Sequence, residues 1–72
     1  MSYKVFQFYP NLGIKVRVLE YKTKDEAYET INICRNYAEV PYLAIDGKGK
    51  IFDICTFELT REQMAKMIEE NC

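Results

Sequence analysis

Two turn clusters constrain this chain more than any other feature. Pro10-Asn11-Leu12-Gly13 and Asp46-Gly47-Lys48-Gly49 each lie between two runs rich in β-branched and aromatic residues, the pattern of a β-hairpin. Each hairpin is followed by a Thr-x-x-Glu/Gln tetrad, Thr23-Lys24-Asp25-Glu26 and Thr60-Arg61-Glu62-Gln63. In such a tetrad the threonine hydroxyl accepts from the third backbone N–H while the Glu or Gln side chain reaches back, so both tetrads predict helix starts. The element order follows as β-β-α-β-β-α, an α+β chain with a four-stranded, mainly antiparallel sheet. With 72 residues it is expected to be a single domain over 1–72, near the lower size limit for a stable core.

The first hairpin is expected to join residues 3–9 to 14–21. With Tyr9 opposite Ile14, Val5 faces Val18, and one side carries Val5, Tyr9, Ile14, Val16 and Val18 as the inward set. The other side then carries Phe6 and Phe8 among Lys4, Lys15 and Arg17. The second hairpin joins residues 42–45 to 50–57, with Leu43, Ile45, Phe52 and Ile54 inward. The first helix is expected over about 24–38, because Ala27, Ile31, Cys34 and Ala38 recur at helical spacing. Tyr28 and Tyr37 flank that stripe, and Pro41 ends it. In the second helix Met64, Met67 and Ile68 form the stripe, with Leu59 and Met64 at staple positions. Ile31 and Cys34 complete the expected core.

Two helices of about four and three turns cover one side of a four-stranded sheet and little more. Both are therefore expected on one face, the alternative being a sheet covered on both faces with Phe6 and Phe8 in the core and the lysines at its rim. The opposite face would display Phe6, Phe8, Leu19, Tyr21, Ile51 and Tyr42, an apolar patch larger than a soluble monomer ordinarily leaves bare. Aromatic residues with arginine are also enriched at interface hot spots. Lys4, Phe6, Phe8, Lys15, Arg17, Leu19 and Tyr21 are accordingly the candidate binding surface.

Composition narrows the chemistry. There is no histidine, so no side chain has an ordinary pKa suited to general base work at neutral pH. Cys34, Cys55 and Cys72 make an odd, widely spaced set, too sparse for a zinc site without histidine. They read as two buried thiols in a reducing compartment and one exposed terminal thiol. Asp46-Gly47-Lys48-Gly49-Lys50 joins two strands and lacks the Ser/Thr and following helix of a phosphate-binding loop. No enzymatic activity, cofactor or metal is expected. Ten basic against eleven acidic residues oppose both a broad nucleic-acid footprint and a nucleic-acid mimic. No apolar run is long enough to cross a membrane, and the first residues are too polar for a signal-peptide core.

The functional expectation is a small cytoplasmic protein-binding module, an inhibitor or adaptor of the phage or mobile-element type that binds a host protein or pairs with itself as a homodimer. The alternative is a single-stranded nucleic-acid or nucleotide binder that stacks bases on Phe6 and Phe8 and holds phosphates with Lys15 and Arg17.

Overall fold

β1 (Tyr3–Phe8) and β2 (Val16–Tyr21) form the first hairpin, α1 (Lys24–Asn36) follows, β3 (Tyr42–Ile45) and β4 (Ile51–Cys55) form the second, and α2 (Arg61–Asn71) closes the chain. The computed structural model describes residues 2–11, 13 and 15–71. The inward position expected for Ile14 and the terminal thiol of Cys72 fall outside them. The four strands make one antiparallel sheet in the order β2-β1-β3-β4. The α+β class and the element order are as the sequence predicts.

Both helix starts form as their tetrads dictate. Glu26 N–H donates to Thr23 Oγ1 at 3.2 Å and Thr23 N–H donates to Glu26 Oε1 at 3.2 Å. Gln63 N–H donates to Thr60 Oγ1 at 3.1 Å and Thr60 N–H donates to Gln63 Oε1 at 2.8 Å. These bonds satisfy amides that a helix cannot pair internally. The first helix stops two residues short of the expected end, and Ala38 and Tyr37 are exposed rather than part of its buried stripe.

Two expectations are corrected. The first is the hairpin register. Val5 pairs with Leu19, Phe6 with Val18 and Phe8 with Val16, one residue away from the expected alignment. Tyr9 N–H donates to the Lys15 carbonyl at 2.6 Å, so five residues rather than four separate the bonded pair. A slip of one flips every β2 side chain to the other face. Val16 and Val18 therefore share a face with Phe6 and Phe8, and Val5 shares one with Leu19 and Tyr21.

The second correction concerns the helices, which lie on opposite faces. α1 packs Ala27, Ile31 and Cys34 against Val5, Tyr42 and Ala44. α2 packs Met64 and Met67 against Phe8 and Val16, with Phe6, Leu43, Ile54, Leu59 and Ile68 around them. Val5 and Phe8 differ in parity along one strand, so the two clusters sit on either side of the sheet. The cause is legible in β1 and β3. Both strands are mainly apolar on both sides, with Lys4 and Gln7 the exceptions in β1, and a sheet with two apolar faces needs two covers. The inward set of the second hairpin changes accordingly, since Tyr42 and Ala44 are fully buried while Leu43, Ile45 and Ile54 are half-buried on the α2 side.

β4 carries an irregularity. The pairing jumps from Ala44↔Asp53 to Ile45↔Ile51, leaving Phe52 as the extra residue of a bulge. The bulge turns Phe52 toward α1, where its ring meets Tyr3 and Tyr28 edge-on, with centroids 5.9 and 5.6 Å away, and lies 5.0 Å from Lys24 Nζ.

Candidate functional site

The seven candidate residues do not form one surface. Phe8 is only 1% exposed, locked beneath α2 against Met64 and Met67, and Phe6 is half-buried in the same cluster. Phe8 is core, because the helix expected on the other face covers it. Lys4 shares that side of the sheet but lies between Glu20 and Ile45. Arg17, Leu19 and Tyr21 project on the α1 side. Tyr21 joins the core there, and its hydroxyl hydrogen-bonds the Thr30 hydroxyl. Lys15 is exposed just ahead of β2. The pairing of rings with cations that base stacking needs is not formed, since Phe8 is covered and Arg17 points to the opposite face.

Four of the seven residues nevertheless converge on one element. Arg17, Leu19 and Tyr21 belong to β2, and Lys15 leads into it. β2 is an edge strand, and its ladder determines what the edge offers. The Tyr9 N–H to Lys15 carbonyl bond marks a hydrogen-bonded pair. In an antiparallel ladder such pairs alternate, so Arg17, Leu19 and Tyr21 turn their backbone groups inward to β1. Val16, Val18 and Glu20 turn theirs outward, to solvent. All six pairs run without a register shift, and the strand contains no proline. Val18 stands at the middle of this edge, 42% exposed.

The other edge is built differently. The β4 bulge at Phe52 breaks its regularity, as edges that must stay unpaired often do. The turn leading into β4 is closed by Asp46, whose Oδ1 accepts from Lys48 N–H at 2.9 Å and Lys50 N–H at 3.0 Å. Those bonds hold the Asp46 carboxyl below its usual value. Sequence reasoning missed this asymmetry because the bulge follows from cross-strand pairing and has no local motif.

A second surface adjoins the β2 edge. α2 covers the sheet rows through Phe8 and Phe6, while the next row, Glu20–Lys4–Ile45–Ile51, lies outside its cluster. Ile51 is exposed there and Lys4 and Ile45 are half-buried.

Under α1, the Tyr42 hydroxyl donates to Asp53 Oδ1 at 3.2 Å. Burial first, and the adjacent carboxylate second, push Tyr42 up to about 12. Cys34 and Cys55 are free thiols in the same cluster. Among the described residues no three His, Cys, Asp or Glu side chains gather into a metal-binding set, and no helix is long and apolar enough to cross a membrane.

No protein-family model matches the chain, and no curated protein and no solved structure shows significant similarity to it.

Proposed function

We propose that the chain is a small protein-binding module that pairs with a second copy of itself along β2, in the manner of an inhibitor or adaptor of phage or mobile-element type. One observation carries this reading: β2 is a regular, unbulged edge whose outward backbone groups flank an exposed valine. Strand addition to such an edge satisfies main-chain donors and acceptors that otherwise face water.

The strand fits its own copy. A two-fold axis normal to the sheet and passing beside Val18 sets Val18 against its counterpart, Val16 against Glu20 and Glu20 against Val16. Those are the residues whose N–H and C=O face outward, so every outward group of the three is used. The exposed Val18 side chain is covered at the centre of the joint. A two-fold contact of this kind closes on itself and does not propagate into a fibre. The row Glu20–Lys4–Ile45–Ile51 stays open in the pair for a different protein.

A single strand joint lies at the small end of specific interfaces. Sedimentation equilibrium from about 10 μM to about 1 mM is therefore the appropriate range. The wild-type chain is expected to shift from monomer toward dimer over that range. Val18→Lys places a charge at the centre of the edge and is expected to remain monomeric with an unchanged unfolding midpoint. A wild-type chain that stays monomeric throughout, or a Val18→Lys variant that dimerises equally well, would overturn the reading.

A further inference from the structure

Five segments meet at the end of the sheet away from the open row: the chain after β1, the exit from α1, the entry to β3, the exit from β4 and the entry to α2. They border a half-open cavity of about 320 Å³ lined by Pro10, Glu39, Pro41, Phe57, Glu58 and Leu59. Its volume lies at the lower end of the range for small-ligand pockets. Four of the six lining residues are apolar and the other two are carboxylates. Neither Glu39 nor Glu58 has a hydrogen bond or an ion-pair partner among the described residues.

The backbone around this cavity is held against its own preference. Glu39 has φ 51° and Phe57 has φ 49°, and they are the two non-glycine residues with positive φ among those described. An aromatic residue in the left-handed region is uncommon and costs free energy that the surroundings must offset. Both residues line the same cavity; Glu39 is exposed and Phe57 is 45% exposed.

We propose that this cavity takes an arginine side chain from a protein partner. The aliphatic stem packs between Pro10, Pro41 and Leu59. The guanidinium stacks on Phe57 while its fork of donors reaches Glu39 and Glu58. Arginine fits better than lysine because a planar group can use the ring face and both carboxylates together. The site goes beyond the β2 joint. It lies at the far end of the sheet from the open row and uses no residue of β2, so the failure of either proposal leaves the other standing.

The test is an NMR titration of the full chain with the N-acetylated, C-amidated tripeptide Gly-Arg-Gly, and with Gly-Gln-Gly as the uncharged control. Amide shifts that saturate and centre on Glu39, Phe57, Glu58 and Leu59 are expected with the arginine peptide alone. The Glu39→Gln/Glu58→Gln double variant is expected to bind at least fivefold more weakly, with its unfolding midpoint unchanged. Phe57→Gly, which removes the ring and the positive-φ penalty together, is expected to unfold at higher urea yet bind more weakly. Shifts that do not saturate, equal shifts with Gly-Gln-Gly, or unchanged affinity in the double variant would overturn the proposal.

Discussion

Gln7 Nε2 donates to Cys34 Sγ at 3.1 Å in the layer between β1 and α1. The other end of the same amide accepts from the Tyr9 hydroxyl at 3.1 Å. Gln7 is the buried polar residue among the described ones, and no buried side-chain polar atom there lacks a partner. A buried amide left unpaired would cost more than its bond contributes. The contact therefore helps fix how α1 sits on the sheet. Cys34→Ala is expected to lower stability by about 1–3 kcal/mol, because it strips Gln7 Nε2 of its acceptor as well as removing packed volume. Urea unfolding measures the loss. In the wild type a thiol reagent is expected to modify half-buried Cys55 well before Cys34, which should react only when the chain opens. Timed mass spectrometry follows both thiols.

The placement of the helices has a sharp mutational signature. Phe8→Ala is expected to cost about 3–5 kcal/mol, as fits a ring sealed under Met64 and Met67. In a domain this small, that is a large share of the total stability. Val18→Ser should change stability by no more than about 0.5 kcal/mol, since Val18 stands outside that cluster. Equal urea midpoints for the two variants would show that α2 does not cover Phe8.

The capping boxes can be tested separately. Thr23→Ala and Thr60→Ala should each cost about 0.5–2 kcal/mol. Neither threonine lies on β2 or lines the end cavity, so both variants should leave self-association and arginine-peptide binding as they are in wild type. Urea midpoints read the first effect, and sedimentation and the peptide titration the second.

Tyr42 determines the alkaline limit. Its folded pKa, about 12, stands above its ordinary value of 10.0. Between those values the unfolded chain loses this proton and the folded chain keeps it. Stability is thus at its full value below pH 10 and falls as pH rises toward 12. Tyr42→Phe removes this group and should flatten that part of the profile, as measured by urea midpoints across alkaline buffers. An unchanged alkaline slope in the variant would place its cause in another residue.

What the sequence displayed plainly was local. The turn clusters, the two Thr-x-x-Glu/Gln starts and the stripe of α1 each depend on residues within a few positions of one another. Both helix starts form where expected, and so does the stripe through Ala27, Ile31 and Cys34, while Ala38, expected in it, lies beyond the helix end and is exposed. What it hid depends on partners far along the chain. The β1–β2 register turned on one residue of loop length, and that single step moved Val16 and Val18 to the face of Phe6 and Phe8. The helix placement could not be read from periodicity, because β1 and β3 have no polar side to mark as solvent. Tyr42, expected on the uncovered face, is fully buried instead, where a tyrosine hydroxyl needs a partner. Asp53, eleven residues away, is that partner. Of the candidate surface, the β2 residues remain at the strand now proposed as the joint, while Phe8 was lost to the core.

Pairing along β2 is decided by residue-resolved amide exchange of that strand at two protein concentrations. In dilute protein the Val16, Val18 and Glu20 amides should exchange quickly, while those of Arg17, Leu19 and Tyr21 are protected by β1. Near millimolar protein, the first three should become protected as the second copy docks. Val18 exchanging equally fast at both concentrations, or already protected in the dilute monomer, would contradict pairing along this edge.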